Sequence, residues 1–358
     1  MKNVIRIFSL SLALFGLTSA SRAVVIVEDT WADASRTNMP ISSSNTVWYS
    51  STASSLLVET NFMLGTNITS ARLWVGYFTD DPASPVTLAP GQMIKVTLVF
   101  TPTNVAQWTG SGTQRGLRFG LLNYADGGTR LTDDSFSSSG GNGANVTGYM
   151  LNLSFYTNFS TETPMEIRVR TNLASANLIG ATADYLSLGS GPCCLSNQPG
   201  FSSGTTYTLE FIVARTNATD VGVRTRIFGA DQDLSFEVMD TSGFASNRFD
   251  AFAIRPNNLA NAADHFTFSR FTVEVLPISV PLPPFSITSI ERLSPSEVKV
   301  TFESVPGQTY VLESRDQVGS GAWVTNATTT ATGTTTSLTN TGIPPGVTQR
   351  FYRVGRTP

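Results

Sequence analysis

Hydrophobic and polar residues alternate with a period of two along most of this chain. The clearest early segments are 71–78 (ARLWVGYF), 92–100 (QMIKVTLVF), 149–156 (YMLNLSFY), 165–171 (MEIRVRT) and 206–215 (TYTLEFIVAR). The pattern continues through 221–228, 234–239, 249–255 and 266–276. Because successive side chains of a β-strand point to opposite faces, this alternation predicts a series of half-buried strands.

Turn-forming residues separate these segments, as in 80–85, 126–129 and 137–145. No stretch of a dozen residues places apolar side chains at the i, i+3, i+4, i+7 spacing of an amphipathic helix. A dozen or more strands with one polar face each predict an all-β protein with two packed antiparallel sheets.

A proline-rich segment, 277–284 (PISVPLPP), interrupts the strand pattern. Proline cannot donate a ladder hydrogen bond, so this segment predicts an extended linker between two domains. The strand-like segments beyond it are 285–292, 297–303, 309–315, 322–327 and 350–354. Residues 285–358 therefore predict a small β-sandwich of fibronectin or immunoglobulin type.

The first 23 residues have the layout of a secretory signal peptide. Lys2 and Arg6 precede an apolar run at 7–17, and Ser21-Arg22-Ala23 forms a small-x-small cleavage site. The run is shorter than the roughly 20 residues that a membrane-spanning helix needs. We therefore expect a secreted protein, extracellular or at the cell surface, without membrane insertion.

Composition favours a folded protein with no nucleic-acid role. Hydrophobic residues make up 41% of the 358 residues, and 22 of them are Phe, enough for a sizeable core. Only 14% of residues are charged, and the formal net charge is −3. Without a basic surplus, nucleic acid is excluded as an expected partner.

Three segments in the larger part carry a family resemblance: 25–38 (VIVEDTWADASRTN), 118–123 (RFGLLN) and the closing strand at 266–277. On these residues, 24–276 resembles secreted bacterial concanavalin A-like, laminin-G-like jelly-roll proteins. Segments 306–314 (PGQTYVLES) and 350–354 (RFYRV) resemble a small β-module that ends such exported chains. The resemblance implies a jelly-roll fold and, by analogy, contact with sugars.

Residues for catalysis are scarce. The single histidine, His265, is as typical of a turn as of a catalytic base, and zinc needs more His or Cys ligands than the chain offers. Glu237 and Asp240 have the odd spacing that puts them on opposite faces of a strand, and Glu162 and Glu166 lie across a predicted turn. We assign no catalytic residue, and whether the chain is an enzyme stays open.

The adjacent cysteines Cys193 and Cys194 cannot act as a long-range staple. A disulfide between sequence neighbours joins Cα atoms about 3.8 Å apart, below the usual range, and closes almost no loop. Two free thiols, a strained local ring, an intermolecular link and a ring that contacts a ligand remain open.

Calcium is a possible structural ion, because oxygen-rich loops bind it. Glu28, Asp29 and Asp33 cluster near the first strand, and Asp231 and Asp233 flank a predicted turn. Solvated carboxylates are the alternative interpretation.

Arginines at alternate positions form the candidate ligand site. Arg168 and Arg170 share one strand face, as do Arg224 and Arg226. If the two strands are neighbours, four guanidinium groups line one open sheet and match carboxylates or sulfates, with Trp74 as a flat platform for a sugar ring. The alternative is a set of solubilising side chains on an exposed sheet.

These features lead to three functional hypotheses. The first is a noncatalytic protein that binds polysaccharide or a cell-surface glycan, with an acidic polysaccharide as one candidate. The second is a polysaccharide lyase acting on a uronate-containing glycan, with Arg and either a Tyr or His265 doing the chemistry. The third is a structural component of the extracellular matrix.

Overall fold

The computed structural model describes residues 23–66, 70–109, 116–159, 163–191, 195, 198–257, 262–278, 285–316, 322–345, 347 and 349–356. In these ranges the chain forms β-strands and two three-residue 3-10 turns, with no α-helix. No helix in this part is long and apolar enough to cross a membrane. The predicted signal peptide lies outside the described residues except for Ala23. So do Cys193, Cys194, Glu162 and most of the predicted linker.

Contacts divide the described chain into two compact units, one ending at Ile278 and the other beginning after it. The strands of the larger unit are β1 Val24–Asp29, β2 Val47–Ser50, β3 Leu56–Glu59, β4 Phe62–Thr66, β5 Trp74–Tyr77, β6 Val86–Thr87, β7 Gln92–Thr103, β8 Leu117–Asn123, β9 Thr147–Leu153, β10 Met165–Arg170, β11 Tyr185–Gly191, β12 Tyr207–Arg215, β13 Val221–Phe228, β14 Asp233–Asp240, β15 Arg248–Phe249, β16 Ala251–Pro256 and β17 His265–Pro277. Alternating burial along β7 and β12 matches the alternation read from their sequences.

Two antiparallel sheets form the body of the larger unit. One has eight strands in the order β14-β13-β12-β7-β17-β4-β3, with β1 also paired to β17. The other has seven strands in the order β11-β10-β9-β8-β16-β5-β2. A single apolar core lies between them and includes Phe100, Phe119, Phe252 and Phe266. The predicted all-β, two-sheet sandwich is therefore confirmed.

The chain crosses between the sheets several times, as expected of a jelly-roll sandwich. It leaves the eight-stranded sheet after β7, builds β8–β11 of the other sheet, returns for β12–β14, and crosses again for β16 and β17. The long strand β17 pairs with β7 on one side and with β4 and β1 on the other. The first and last strands of the unit are therefore neighbours.

Loops cover the outer face of the seven-stranded sheet. Tyr124, Leu131 and Val146 from the β8–β9 loop, and Leu178 and Ile179 from the β10–β11 loop, form a second buried cluster against its strands. This sheet is consequently buried on both faces along much of its area.

A half-buried ion pair fixes the β8–β9 loop. Arg36 donates to both carboxylate oxygens of Asp134, at 3.0 and 2.6 Å, and the backbone N–H of Ser50 donates to the same carboxylate at 2.8 Å. Burial raises the pKa of Asp134, but the Arg36 and Ser50 hydrogen bonds outweigh it, so the net pKa lies below the ordinary value.

A carboxylate with a lowered pKa stabilises the fold at pH above its unfolded pKa, and that stability is lost as the pH falls through the folded pKa. We expect Asp134→Asn to cost at most about 1 kcal/mol at neutral pH, since the pair is partly solvated. Below about pH 4, the free energy of unfolding of Asp134→Asn should fall less steeply with decreasing pH than that of the parent. Urea unfolding between pH 2 and 7 measures both, with Asp133→Asn as the neighbouring control. Parallel curves for Asp134→Asn and the parent would contradict the prediction.

The smaller unit has six strands in its described part: β18 Ile287–Ser294, β19 Glu297–Glu303, β20 Thr309–Arg315, β21 Val324–Thr330, β22 Thr335–Asn340 and β23 Phe351–Arg356. They form two three-stranded antiparallel sheets, β18-β19-β22 and β21-β20-β23. Val300, Phe302, Tyr310, Leu312 and Leu338 share one core, so residues of both sheets pack together. This is the small β-sandwich that the sequence predicts.

Candidate functional site on the open face of the eight-stranded sheet

The two sheets of the larger unit differ in what lies outside them. Loop residues cover the seven-stranded sheet, whereas the outer face of the eight-stranded sheet carries polar and charged side chains. We call this outer surface, formed by β1, β17, β7, β12, β13 and β14, the open face. On this surface a ligand can reach side chains of several strands at once.

Side chains on the open face form rows, because residues directly opposite one another in an antiparallel sheet share a face. The first row is Glu28, Thr272, Thr97, Glu210, Arg226 and Ser235. The second is Val25, Glu274, Lys95, Ile212, Arg224 and Glu237. The third is Arg270, Val99, Thr208, Phe228 and Asp233. Six strands spaced about 4.8 Å apart make the first row about 24 Å long.

A shallow groove of about 320 Å³ lies within these rows. Its lining residues are Val25, Glu28, Lys95, Thr97, Val99, Thr208, Glu210, Arg270, Thr272 and Glu274. Two ion pairs border it: Lys95 Nζ lies 2.9 Å from Glu274 Oε2, and Arg270 pairs with Glu28. Ammonium, guanidinium, carboxylate and hydroxyl groups therefore face one small volume, and each can exchange hydrogen bonds with a hydroxyl-rich ligand.

Thr272 also lines the groove but does not offer its hydroxyl to a ligand. The residue is only 6% exposed, and its buried hydroxyl has no hydrogen-bond partner among the described residues. The groups that a ligand can reach in the groove are therefore those of the other polar lining residues.

Arginines extend the open face beyond the groove. Arg226 donates two hydrogen bonds to Asp233, both at 2.8 Å, and its guanidinium lies 4.3 Å from the centroid of the Phe228 ring. Hydrogen bonding from Arg226 lowers the pKa of Asp233, so that carboxylate stays ionised. Arg224 is exposed and has no ion pair within the described residues. Among the described residues of the open face, it is the cation without an ion pair.

The predicted assembly of four arginines on one sheet is wrong. β13 belongs to the eight-stranded sheet and β10 to the seven-stranded sheet, so Arg224 and Arg226 lie on a different sheet from Arg168 and Arg170. Equal spacing within two segments indicates a shared face in each, but strand order decides whether those faces meet.

Arg168 and Arg170 hold loops in place. Arg170 is 1% exposed and donates to the carbonyl oxygens of Leu178, Gly143 and Ser175 at 2.7–2.9 Å. Arg168 pairs with Glu166 at 2.9 Å and donates to two backbone carbonyls. Their guanidinium groups are already occupied by the protein itself.

Trp74 is not a surface platform. Its side chain is fully buried in the core between the sheets, edge-on to Phe266 and Phe268 at centroid distances of 6.4 and 5.8 Å. Arg72, with which it shares a strand face in the sequence pattern, precedes β5. A fully buried ring cannot stack on a sugar.

The carboxylates considered for calcium bind donors of the protein. Asp29 accepts hydrogen bonds from Trp31 and Thr46, and Asp231 accepts one from the Tyr207 hydroxyl. Asp33 accepts one from the Ser35 N–H. Among the described residues, no three His, Cys, Asp or Glu side chains form a group able to hold a metal ion. Structural calcium stays a prediction.

Two further sequence candidates have clear positions. His265 is the first residue of β17 and pairs across to Thr66 and Thr103. Glu237 is exposed on the open face whereas Asp240 is buried, where it accepts a hydrogen bond from the Tyr149 hydroxyl at 2.8 Å. The prediction that these two carboxylates point to opposite faces is confirmed.

Sequence reasoning missed the groove residues Lys95, Thr97, Thr208 and Glu210. The signal that finds them is the polar half of the alternation in β7 and β12. That signal marks a solvent-facing side but does not say that β7 and β12 pair.

No protein-family model matches the chain, and no curated protein resembles it in sequence. Peanut lectin with a nine-residue peptide superposes with a TM-score of 0.42 at 11% identity, over 73% of this chain and 100% of that chain. The carbohydrate recognition domain of Emp47p gives 0.40 at 11%, over 73% and 99%. The VIP36 exoplasmic/lumenal domain bound to Ca²⁺ and Man3GlcNAc gives 0.39 at 14%, over 66% and 88%. Identity at this level carries no information about the site residues of this chain.

Proposed function

We propose that this is a noncatalytic carbohydrate-binding protein, exported through the signal sequence at 1–23, that holds a glycan on the open face. The observation that carries the proposal is the groove of Lys95, Thr97, Thr208, Glu210 and Glu274 on a sheet face that no described loop covers. Its side chains supply donors and acceptors of every type that sugar hydroxyl groups use.

The charges of the open face favour a neutral glycan. Its cations are Lys95, Arg224, Arg226 and Arg270, and its anions are Glu28, Glu210, Asp233, Glu237 and Glu274. Three of the four cations are ion-paired with these anions. The acidic polysaccharide predicted from four clustered arginines would therefore find, among the described residues of this face, one cation without an ion pair, Arg224, beside several carboxylates that repel the polysaccharide.

A glycan array followed by calorimetric titration of the best polymer tests the proposal. We expect binding to a neutral polysaccharide and a roughly tenfold to hundredfold loss of affinity in Glu210→Ala, because a hydrogen bond to a charged group contributes about 1.5–3 kcal/mol. Arg224→Ala should weaken a neutral glycan little, since Arg224 lies outside the groove.

Glu297→Ala and Lys299→Ala serve as matched controls in the smaller unit and should bind like the parent. Absence of binding to every glycan by folded protein, or equal affinity of Glu210→Ala and the parent, would refute the proposal. Retention on uronate polymers that Arg224→Ala abolishes would instead support the acidic ligand.

A further inference from the structure

Strand β18 in the smaller unit has an apolar side chain on its inner face, Ile290, that the described residues leave more than half exposed. Ile290 lies opposite Val300, which lies opposite Leu338, so the three residues share the face that points to the core. Val300 and Leu338 are 0% and 6% exposed, but Ile290 is 56% exposed. The described residues therefore bury the inner face of this sheet at β19 and β22 but leave it exposed at β18.

The facing sheet explains the exposure. In the described part of the chain, its edge strand β23 pairs with β20 alone, which leaves the other backbone edge of β23 without a strand. A groove of about 470 Å³ lies here, lined by Ile290, Arg292, Val298, Ile343, Val347, Gln349, Arg350, Phe351 and Tyr352. The open edge and the uncovered apolar side chain thus border the same space.

We propose that this groove, which we call the strand groove, binds an extended peptide segment of another protein that pairs with β23. An added strand pairs with the N–H and C=O groups on the edge of β23 that β20 does not use, and its apolar side chains at alternate positions cover Ile290 next to the buried Val298 and Ile343. This inference concerns the smaller unit and does not depend on the proposed glycan site.

Charge specifies the peptide further. The strand groove is lined by two arginines, Arg292 and Arg350, and by no carboxylate. Arg292 donates to the backbone carbonyls of Ser294 and Pro295 and has no ion pair within the described residues, whereas Arg350 pairs with Asp316. A segment with a carboxylate next to its apolar residues fits this lining.

A second copy of this chain fits less well. A twofold contact places the same patch on both partners, so Arg292 of one copy would lie near Arg292 of the other. Arg350 is paired with Asp316, but Arg292 has no ion pair within the described residues, and the lining holds no carboxylate that compensates its charge. The partner is therefore an acidic, apolar-alternating segment of a different protein.

The test uses the full chain and a fluorescent synthetic peptide with Val at alternate positions, Thr between them and a terminal Asp. We expect saturable binding, slower hydrogen exchange of the β23 amides Phe351–Arg356, and at least tenfold weaker binding to Ile290→Asp. Because Ile290 is half-exposed, this variant should fold. Val324→Asp, a 59%-exposed site on β21 outside the strand groove, is the control and should bind normally.

The same peptide N-methylated at alternate amides should bind at least tenfold more weakly, because it cannot complete the ladder with β23. Failure of the unmethylated peptide to bind would overturn the proposal, as would protection of β21 instead of β23. Equal loss of binding in both Asp variants would also overturn it. Sedimentation showing a dimer that Ile290→Asp dissociates would assign the groove to a second copy and refute our choice of partner.

Discussion

Replacing Arg170 with alanine will destabilise the larger unit by roughly 2–5 kcal/mol, the larger of the two main effects that we expect. The substitution removes one charge-assisted hydrogen bond from each of the carbonyl oxygens of Leu178, Gly143 and Ser175. Leu178 O still accepts from the Tyr185 hydroxyl and Gly143 O from the Val146 N–H, so the loss is that of three hydrogen bonds to a charged group, about 1.5–3 kcal/mol each before water replaces some of them. For a unit of this size the fall in Tm is on the order of 10 °C.

Thermal and urea unfolding followed by circular dichroism measure this effect. Arg224→Ala is the matched control, because its side chain is exposed on the open face and its loss should change stability by less than about 0.5 kcal/mol. At a temperature where both variants are folded, Arg170→Ala should still bind the glycan. Parent-like stability combined with lost binding would instead support the direct role in ligand binding that the sequence pattern suggested for Arg170.

Replacing Gly65 with alanine should destabilise the larger unit by about 1–3 kcal/mol, because the added methyl group overpacks the core. This is the second of the two large effects. A Cβ atom at Gly65 would lie 2.7 and 2.8 Å from Cζ3 and Cζ2 of the Trp74 ring. The ring is enclosed by Phe266 and Phe268 and has no room to withdraw. Strand β4 must therefore move away from the core or the ring must leave its position.

A double-mutant cycle with Trp74→Leu identifies the cause. The smaller side chain makes room at Gly65, so the double variant should be more stable than the sum of the two single effects predicts, by about 0.5–3 kcal/mol. Gly342→Ala, where an added Cβ meets no atom within 4 Å, should leave stability unchanged. Additive effects of the Gly65 and Trp74 substitutions would show that their side chains do not compete for the same volume.

Much of the fold could be predicted from local pattern. The alternation at 92–100 and 206–215 became β7 and β12, and the burial of their side chains follows the same period of two. The segments beyond the prolines became the strands of the smaller sandwich. Local alternation suffices to predict these strands because it shows which face of each one is apolar and must be buried.

The candidate site was predicted only in part. Arg224 and Arg226 do lie on an exposed sheet, but the groove residues Lys95 and Glu210 were missed and Trp74 was misplaced. Alternation shows which face of a strand meets the core only where the other face is polar. In β5 both faces are buried, since loops cover the outer side, so Trp74 gave no sign of being inside.

The sequence by itself determined that this chain forms strands, that the strands pack in layers, and that a proline-rich segment follows the larger set. Only the tertiary structure decided that β10 and β13 belong to different sheets. It also decided that, among the described residues, one sheet is covered by loops and the other is not, and that no described strand covers Ile290 of β18. The physical reason is the range of the forces: side-chain alternation acts over neighbouring residues, whereas strand order is set by contacts between segments far apart in the chain.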